Sequence, residues 1–489
     1  MEPWKCTNIY TVSMPTHIVY SEEDSAYCQN VVHKWAAASL AEEVKEVKYR
    51  LLDFLFFLHV PRTGGRTYYY CFLMKLYTSY LECPRSYDKL RFDPRKLNCR
   101  LMATHDDYSL MNKLPKERTS VVTILRNPID RVFSTYEFSV EVAARFLVHP
   151  NLTSATQMNR RMNSSNDRIS TLDIWPWKYL VPWMREDLFA RRDHRRKHGN
   201  FTNIKARTDS YNMEDIVMPL QKFIKDPIAQ EIIHNGATFQ VAGLTNNSYV
   251  TESHEIRHCV KKYQALGKYV LDVAKKRLNE MLYVGLTEEH KESATMFADV
   301  VGMQVLSLLQ ALSSQSEQKP RNRTELSNSF SDSVHESNNF QNSIDTQKGS
   351  GSGLTENARR INDTISVGKL MESYEGCISG LRNAQTHRRT SSLKQISPAN
   401  FSKEARLQVP EVVLQQIISY NNLDVELYKH AQDIFAQRRK HLIEKLFEEE
   451  RENNGFNNLY GYLAMVVVLS LLTIAILLIN LRRRKPKPK

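Results

Sequence analysis

Seven cysteines in 489 residues are too few for a disulfide scaffold, and their odd number leaves at least one thiol unpaired within the chain. No zinc-finger spacing and no aromatic-studded RNA motif occurs, so nucleic acid is not an expected partner despite a net charge of +13. No paired-carboxylate metal motif is present, and no metal ion is expected. Residues 1–45 hold no apolar core of the kind a signal peptide needs; the best run, Ala36–Ala41, is too short. There is no internal repeat, which excludes a solenoid or an array.

What is present points elsewhere. Hydrophobic residues make up 42% of the chain and aromatics 10%, enough for a sizeable core. The basic balance favours polyanionic partners such as nucleotides, acidic protein segments or sulfated glycans. Leu459–Leu481 is one apolar stretch without a charge. At about 1.5 Å per residue it is long enough to cross the hydrocarbon core. The tail that follows, 482–489, is basic, so the positive-inside rule puts it in the cytosol and the preceding chain in the lumen. Asn-X-Ser/Thr sequons at Asn151, Asn163, Asn200, Asn246, Asn322, Asn362 and Asn400 agree with a lumenal body. A chain with this anchor and no leader could instead insert tail-first with its body in the cytosol. The expectation is that further sequence precedes Met1 and supplies the leader.

The body reads as α/β. Phe54–Val60 is a continuous apolar run ended by Pro61, the pattern of a buried parallel strand. Leu101–Thr104 and Val121–Leu125 are two further short strands, and Leu282–Leu286 is a fourth. Asn127 suits a helix N-cap and Pro128 a first turn, with the helix running to about Phe146. Val270–Met281 has helical spacing, as does the region near 422–445, where Leu427, Ala431 and Ile434 share a face. Trp175, Trp177 and Trp183 read as packing, and Arg191–His198 as a solvated basic loop. The expected organisation is an N-terminal segment (1–50), a first catalytic part (51–310) and a disordered low-complexity insertion (311–365). A helical C-terminal part (366–450), the membrane helix (459–481) and the tail (482–489) follow.

Parallel sheets bind ligands at the carboxyl ends of their strands, and three polar clusters fall there. The first is Pro61-Arg62-Thr63-Gly64-Gly65-Arg66-Thr67, a phosphate-loop-like turn that lacks the Gly-Lys-Ser/Thr of nucleoside-triphosphate sites. Its glycines allow close backbone approach, and Arg62, Arg66 and Thr67 add donors. The second runs from Arg126 at a strand end to Ser134 in the next helix, and the pair can converge on one phosphate. The third is His105, at the end of Leu101–Thr104; His59, by contrast, reads as a core residue inside its strand.

Loop and Arg126–Ser134 together resemble the 5′-phosphosulfate and 3′-phosphate signatures of sulfotransferases that use 3′-phosphoadenosine 5′-phosphosulfate (PAPS). Within that superfamily, HVPRTGGRT and THDDYSLM are similar to segments of heparan sulfate 6-O-sulfotransferases, as are VGLTEEHKESATMF at 284–297 and LDVELYKHAQDIFAQR at 423–438. The 6-O enzymes have Gln-Lys where this chain has Pro61-Arg62. The C-terminal anchor and the block from Leu370 to Ile418 resemble the plant-type tyrosylprotein sulfotransferases.

That resemblance implies a P-loop-type parallel sheet with flanking helices, PAPS as co-substrate, and His105 as general base. PAPS would be held by Arg62, Thr63, Gly64, Gly65, Arg66, Thr67, Arg126 and Ser134. Arg62 then acts electrostatically, since a guanidinium keeps its proton, although either Arg62 or Arg66 could meet the bridging oxygen. The acceptors implied are secreted precursor peptides or proteins with tyrosines in acidic, Asp-Tyr contexts, and the 191–198 run is one candidate for a cationic groove. The last five residues, Lys-Pro-Lys-Pro-Lys, resemble a dilysine-type retrieval signal and imply an early-Golgi membrane address. Two other readings fit parts of the pattern: a glycan 6-O-sulfotransferase, and a non-catalytic type I membrane protein with a relic nucleotide fold.

Overall fold

The computed structural model describes residues 22–42, 50–77, 81–83, 99–148, 218–317, 366–393 and 406–453, with Ser470 and Thr473. The tryptophans and basic run between 175 and 198, and the apolar stretch 459–481 apart from those two residues, lie outside the described residues. The chain divides into two compact units, Met1–Gln432 and Asp433–Lys489.

The centre of the first unit is a four-stranded, wholly parallel sheet in the order β2-β1-β3-β4. β1 is Phe54–Leu58, β2 Leu101–Thr104, β3 Thr119–Leu125 and β4 Tyr283–Leu286. Every residue of β1, β3 and β4 is buried, as expected of strands covered on both faces. Even Thr123 is satisfied internally, its hydroxyl donating to the Leu58 carbonyl at 2.7 Å. Pairing of β1 with both β2 and β3 brings residues 59, 105 and 126 to one edge of the sheet.

Two differences from the sequence reading bear on the site. β1 ends at Leu58, so His59 is not inside the strand but just past its carboxyl end. Its N–H still reaches the Thr104 carbonyl at 3.0 Å, one last ladder bond before Pro61 stops the pairing. The helix entering the predicted low-complexity insertion also continues to Glu317.

The helix after β3, Pro128–Val148, starts as anticipated. Asn127 Oδ1 accepts from the Ile129 N–H at 3.0 Å and, more weakly, from that of Asp130 at 3.4 Å. The helix after the loop begins at Gly65–Tyr68 and widens into a π-helical Tyr69–Leu73 before its last turn, Met74–Leu76. Its aromatics pack on two other helices: Phe72 stacks on Tyr374 of Val367–Leu393 at 4.2 Å, and Tyr68 meets Phe297 of His290–Phe297 edge-on at 5.1 Å. Among the described residues one helix, His290–Ala311, is long and apolar enough to cross a membrane. Ala294, Phe297, Ala298, Val301 and Val305 on it are fully buried, so in this fold it is a core helix of the sheet's flank.

Three disulfides staple the body: Cys28–Cys259, Cys71–Cys377 and Cys83–Cys99. The first fastens the N-terminal helix Glu22–Ala41 to Ser253–Lys262, and the second fastens the loop helix to Val367–Leu393. Cys6 lies outside the described residues.

One polar junction ties the distant parts together. Arg131 and Asp424 form an ion pair at 2.9 Å with side chains 2% and 1% exposed. Asp424 also accepts from the N–H groups of Ala237 (3.2 Å) and Thr238 (2.7 Å), capping helix Gly236–Val241. Asn235, in the left-handed region at φ 50, returns the favour: its Oδ1 accepts from Leu423 and Asp424 N–H at 2.9 and 3.2 Å. Removing one partner strands the other charge in the interior, at a cost of about 3–5 kcal/mol. Asp424→Ala should therefore lower the free energy of unfolding by about 3–5 kcal/mol in urea denaturation; a loss below about 1 kcal/mol would show the pair to be expendable.

Candidate active site

The loop Pro61–Thr67 is shaped by its backbone. Arg62 and Gly64 both adopt positive φ, 69° and 79°, which for arginine costs about 1–2 kcal/mol. Alternation of left-handed residues curls a backbone so that successive N–H groups gather, the arrangement of an anion-binding nest. The curl is pinned from outside: the Thr63 hydroxyl donates to the Val60 carbonyl at 2.8 Å, and Thr287, after β4, donates to the Thr63 carbonyl at 2.7 Å. Gly65 is required for a different reason. A Cβ there would overlap the His59 ring and stand 3.0 Å from Phe57.

Arg62 and Arg66 part company. Arg66 is exposed and lies over the Tyr70 ring at 5.3 Å. Arg62 is half-buried and turns toward helix Pro128–Val148, donating from Nε and Nη2 to the Ser134 hydroxyl at 3.1 and 3.0 Å and covering Phe138 at 4.5 Å. Arg126 then donates from Nη1 to the Arg62 carbonyl at 3.2 Å. The two phosphate clusters of the sequence are thus one surface, joined through Arg62. Burial lowers Arg126 from the ordinary guanidinium value, partly offset by Asp130 and Glu288. Its Nε is buried without a hydrogen-bond partner among the described residues, the Glu288 carboxylate being 3.9 Å away. Asp130 and Glu137, the acids nearest this surface on the helix, are both taken up by Arg406.

His105 follows β2 and faces the loop. Its Nδ1 is 3.0 Å from the His59 carbonyl oxygen. A carbonyl only accepts, so Nδ1 carries the proton and Nε2 is the basic nitrogen. The two imidazoles lie 4.2 Å apart between centroids, and His59 in turn stacks on Phe57. Gln240, unmarked in the sequence, holds both backbones: its Nε2 donates to the carbonyls of His59 (3.2 Å), His105 (3.0 Å) and Asp106 (3.1 Å). The fully buried Asp107 accepts from N–H and hydroxyl of Ser109 and of Thr245. Desolvation raises its carboxyl above the usual range, and these four donors work against that shift. Asp106 bonds Thr104 and Asn247. Beside His105 a cleft of about 50 Å³ is lined by Pro61, Glu231, Gln240, Thr245 and Asn247, among others.

Among the described residues no group of three or more His, Cys, Asp or Glu could hold a metal ion. What gathers at the ends of the parallel sheet is a loop curled by two positive-φ residues, with Arg62, Arg126, Ser134 and His105 around it. No family model matches the chain. It is, however, similar to the protein-tyrosine sulfotransferase of Arabidopsis thaliana, with 53% identity over 482 residues covering 95% of this chain and 94% of that protein. The chain belongs to the protein-tyrosine sulfotransferase family, a family of enzymes.

The close approach at Gly65 yields a paired test. Gly65→Ala must displace the His59 ring and should cost roughly 1–3 kcal/mol in urea denaturation. Gly376→Ala, on a helix with nothing within 4 Å of the added methyl, should be neutral or stabilising by up to about 1 kcal/mol. Equal effects would refute the packing role of Gly65.

Proposed function

We propose that the protein transfers the sulfuryl group of PAPS to tyrosines in acidic contexts of secreted peptides and proteins, with His105 as general base. The relative at 53% identity supports the acceptor class. The observation that carries the site assignment is the joining of Arg62, Arg126 and Ser134 beside His105. PAPS supplies an activated sulfuryl group on its 5′-phosphate. The residues present fit it: the loop curls through two left-handed residues, and Arg62, Arg126 and Ser134 add donors beside it.

In this reading residues 62–67 bind the 5′ side, and Arg126 with Ser134 binds the 3′-phosphate. Arg62, the cation turned inward, offsets charge on the departing phosphate, while Arg66 stays at the exposed rim. A phenol has an ordinary pKa near ~10, so attack at neutral pH gains from a base that takes its proton. His105 Nε2 does so, and the His59 carbonyl on Nδ1 holds the tautomer and steadies the imidazolium that results. Gln240 fixes the backbone that carries both histidines. Catalysis is then positioning and charge stabilisation.

Three disulfides among the described residues favour an oxidising compartment. With 459–481 as a single membrane helix and 482–489 as a cytosolic tail, this supports a type I enzyme of the early Golgi with a lumenal body.

Radiolabelled PAPS offered with an acidic tyrosine peptide and with desulfated heparan should label the peptide. Label on heparan alone would transfer the protein to the glycan enzymes. His105→Ala should lower turnover at least about a hundredfold while adenosine 3′,5′-bisphosphate still binds in calorimetry; retained turnover removes His105 as base. On intact microsomes the body should resist protease until detergent is added, and digestion without detergent would overturn the lumenal topology.

A further inference from the structure

Glu231, on helix Pro227–Ile233, lines the same cleft as His105. Its carboxylate pairs with the Arg257 guanidinium through Oε2 and with the Lys261 ammonium through Oε1. Arg257 and Lys261 stand four residues apart on helix Ser253–Lys262, and so on one face of it. Arg257 is nearly enclosed, its side chain 7% exposed, and it also donates to Asn246 Oδ1, another residue of the cleft. Lys261 is 40% exposed and Glu231 22%. The neighbouring Lys262 does not join them; it turns to Asp24. The cleft that presents the base therefore has Glu231 on its wall, and that carboxylate is shared by two cations, a net charge of +1 for the cluster.

Two like charges this close need an anion between them, and one of them is buried, where an unpaired charge is costly. Glu231 supplies that anion from a side chain that is itself partly exposed. A second carboxylate entering the cleft can take its place while Glu231 swings to solvent. Neither cation is then left bare, so the exchange avoids the desolvation penalty that usually offsets a buried ion pair. A neutral side chain cannot make the exchange, since displacing Glu231 would strand both cations. Such a site discriminates by penalising the wrong partner as well as by attracting the right one.

We propose that Glu231, Arg257 and Lys261 form the subsite that reads the carboxylate adjacent to the acceptor tyrosine, with Glu231 holding the two cations in place of that carboxylate. The inference rests on the tyrosine-sulfation reading above and adds to it where acidic acceptors are recognised.

Two peptides identical except for Asp or Asn before the tyrosine provide the test, read as the ratio of their kcat/KM values with the full chain. The wild-type protein should favour the Asp peptide. Lys261→Met, which keeps the aliphatic stem, should lower the ratio about tenfold, the loss of one charged hydrogen bond. Lys261→Arg should restore it, and Glu231→Gln should raise it by removing the competing carboxylate. A ratio in Lys261→Met within about twofold of wild type overturns the assignment, whatever Glu231→Gln does. Wild-type protein that labels neither peptide overturns the tyrosine-sulfation reading and the inference with it, so the two failures are told apart.

Discussion

The buried pair of Arg131 and Asp424 is the constraint on which the rest of the site depends. Arg131 belongs to the helix that carries Ser134, and Asp424 caps the helix that carries Gln240. Arg131 also donates to the carbonyls of Ile232 and Ile233 at 3.2 and 3.3 Å, next to Glu231. Residues nearly 300 positions apart are thus fixed around one point: the anion surface, the clamp on the histidines and the wall of the cleft. Gly236 is part of the same fit, since a Cβ there would meet Arg131 at 3.2 Å. A buried ion pair is weak evidence for net stability, because well-packed apolar residues often do as well. Its use here is geometric. It selects one arrangement of three helices that hydrophobic burial alone would leave less defined.

From that frame the chemistry follows by short steps. The parallel sheet ends three strands at one edge, and the loop after β1 curls through two positive-φ residues into a nest. Gly65 lets the loop helix begin against His59, His59 stacks beside His105, and the His59 carbonyl sets which imidazole nitrogen is basic. Arg62 links the loop to Ser134, so loop and helix form one continuous surface rather than two. The strain at Arg62 sits where a functional constraint is expected.

Most of the sheet was legible in the residues. Continuous apolar runs ended by Pro61, His105 and Arg126 mark buried parallel strands, and Asn127-Pro128 marks a helix start. The end of β1 is less legible, because an apolar run hides where pairing stops; the strand ends at Leu58, so His59 stands just past it, packed on Phe57 and beside His105. Gln240 carries no local signal at all, its partners lying at residues 59, 105 and 106. The disulfide pairs were equally hidden, since pairing depends on the fold and not on spacing. Glu231 and Arg257 stand 26 positions apart in sequence with no motif to join them, and only the fold pairs them, with Glu231 lining the cleft.

In the proposed function a single surface, from residues 62–67 to Arg126 and Ser134, seats the donor, with His105 at its 5′ end. The most direct measurement is a crystal structure of the protein with adenosine 3′,5′-bisphosphate. The account predicts the 5′-phosphate against the loop backbone and Arg62, the 3′-phosphate against Arg126 and Ser134, and His105 Nε2 facing the 5′ side. A nucleotide seated elsewhere, or with its 5′-phosphate remote from His105, would contradict it.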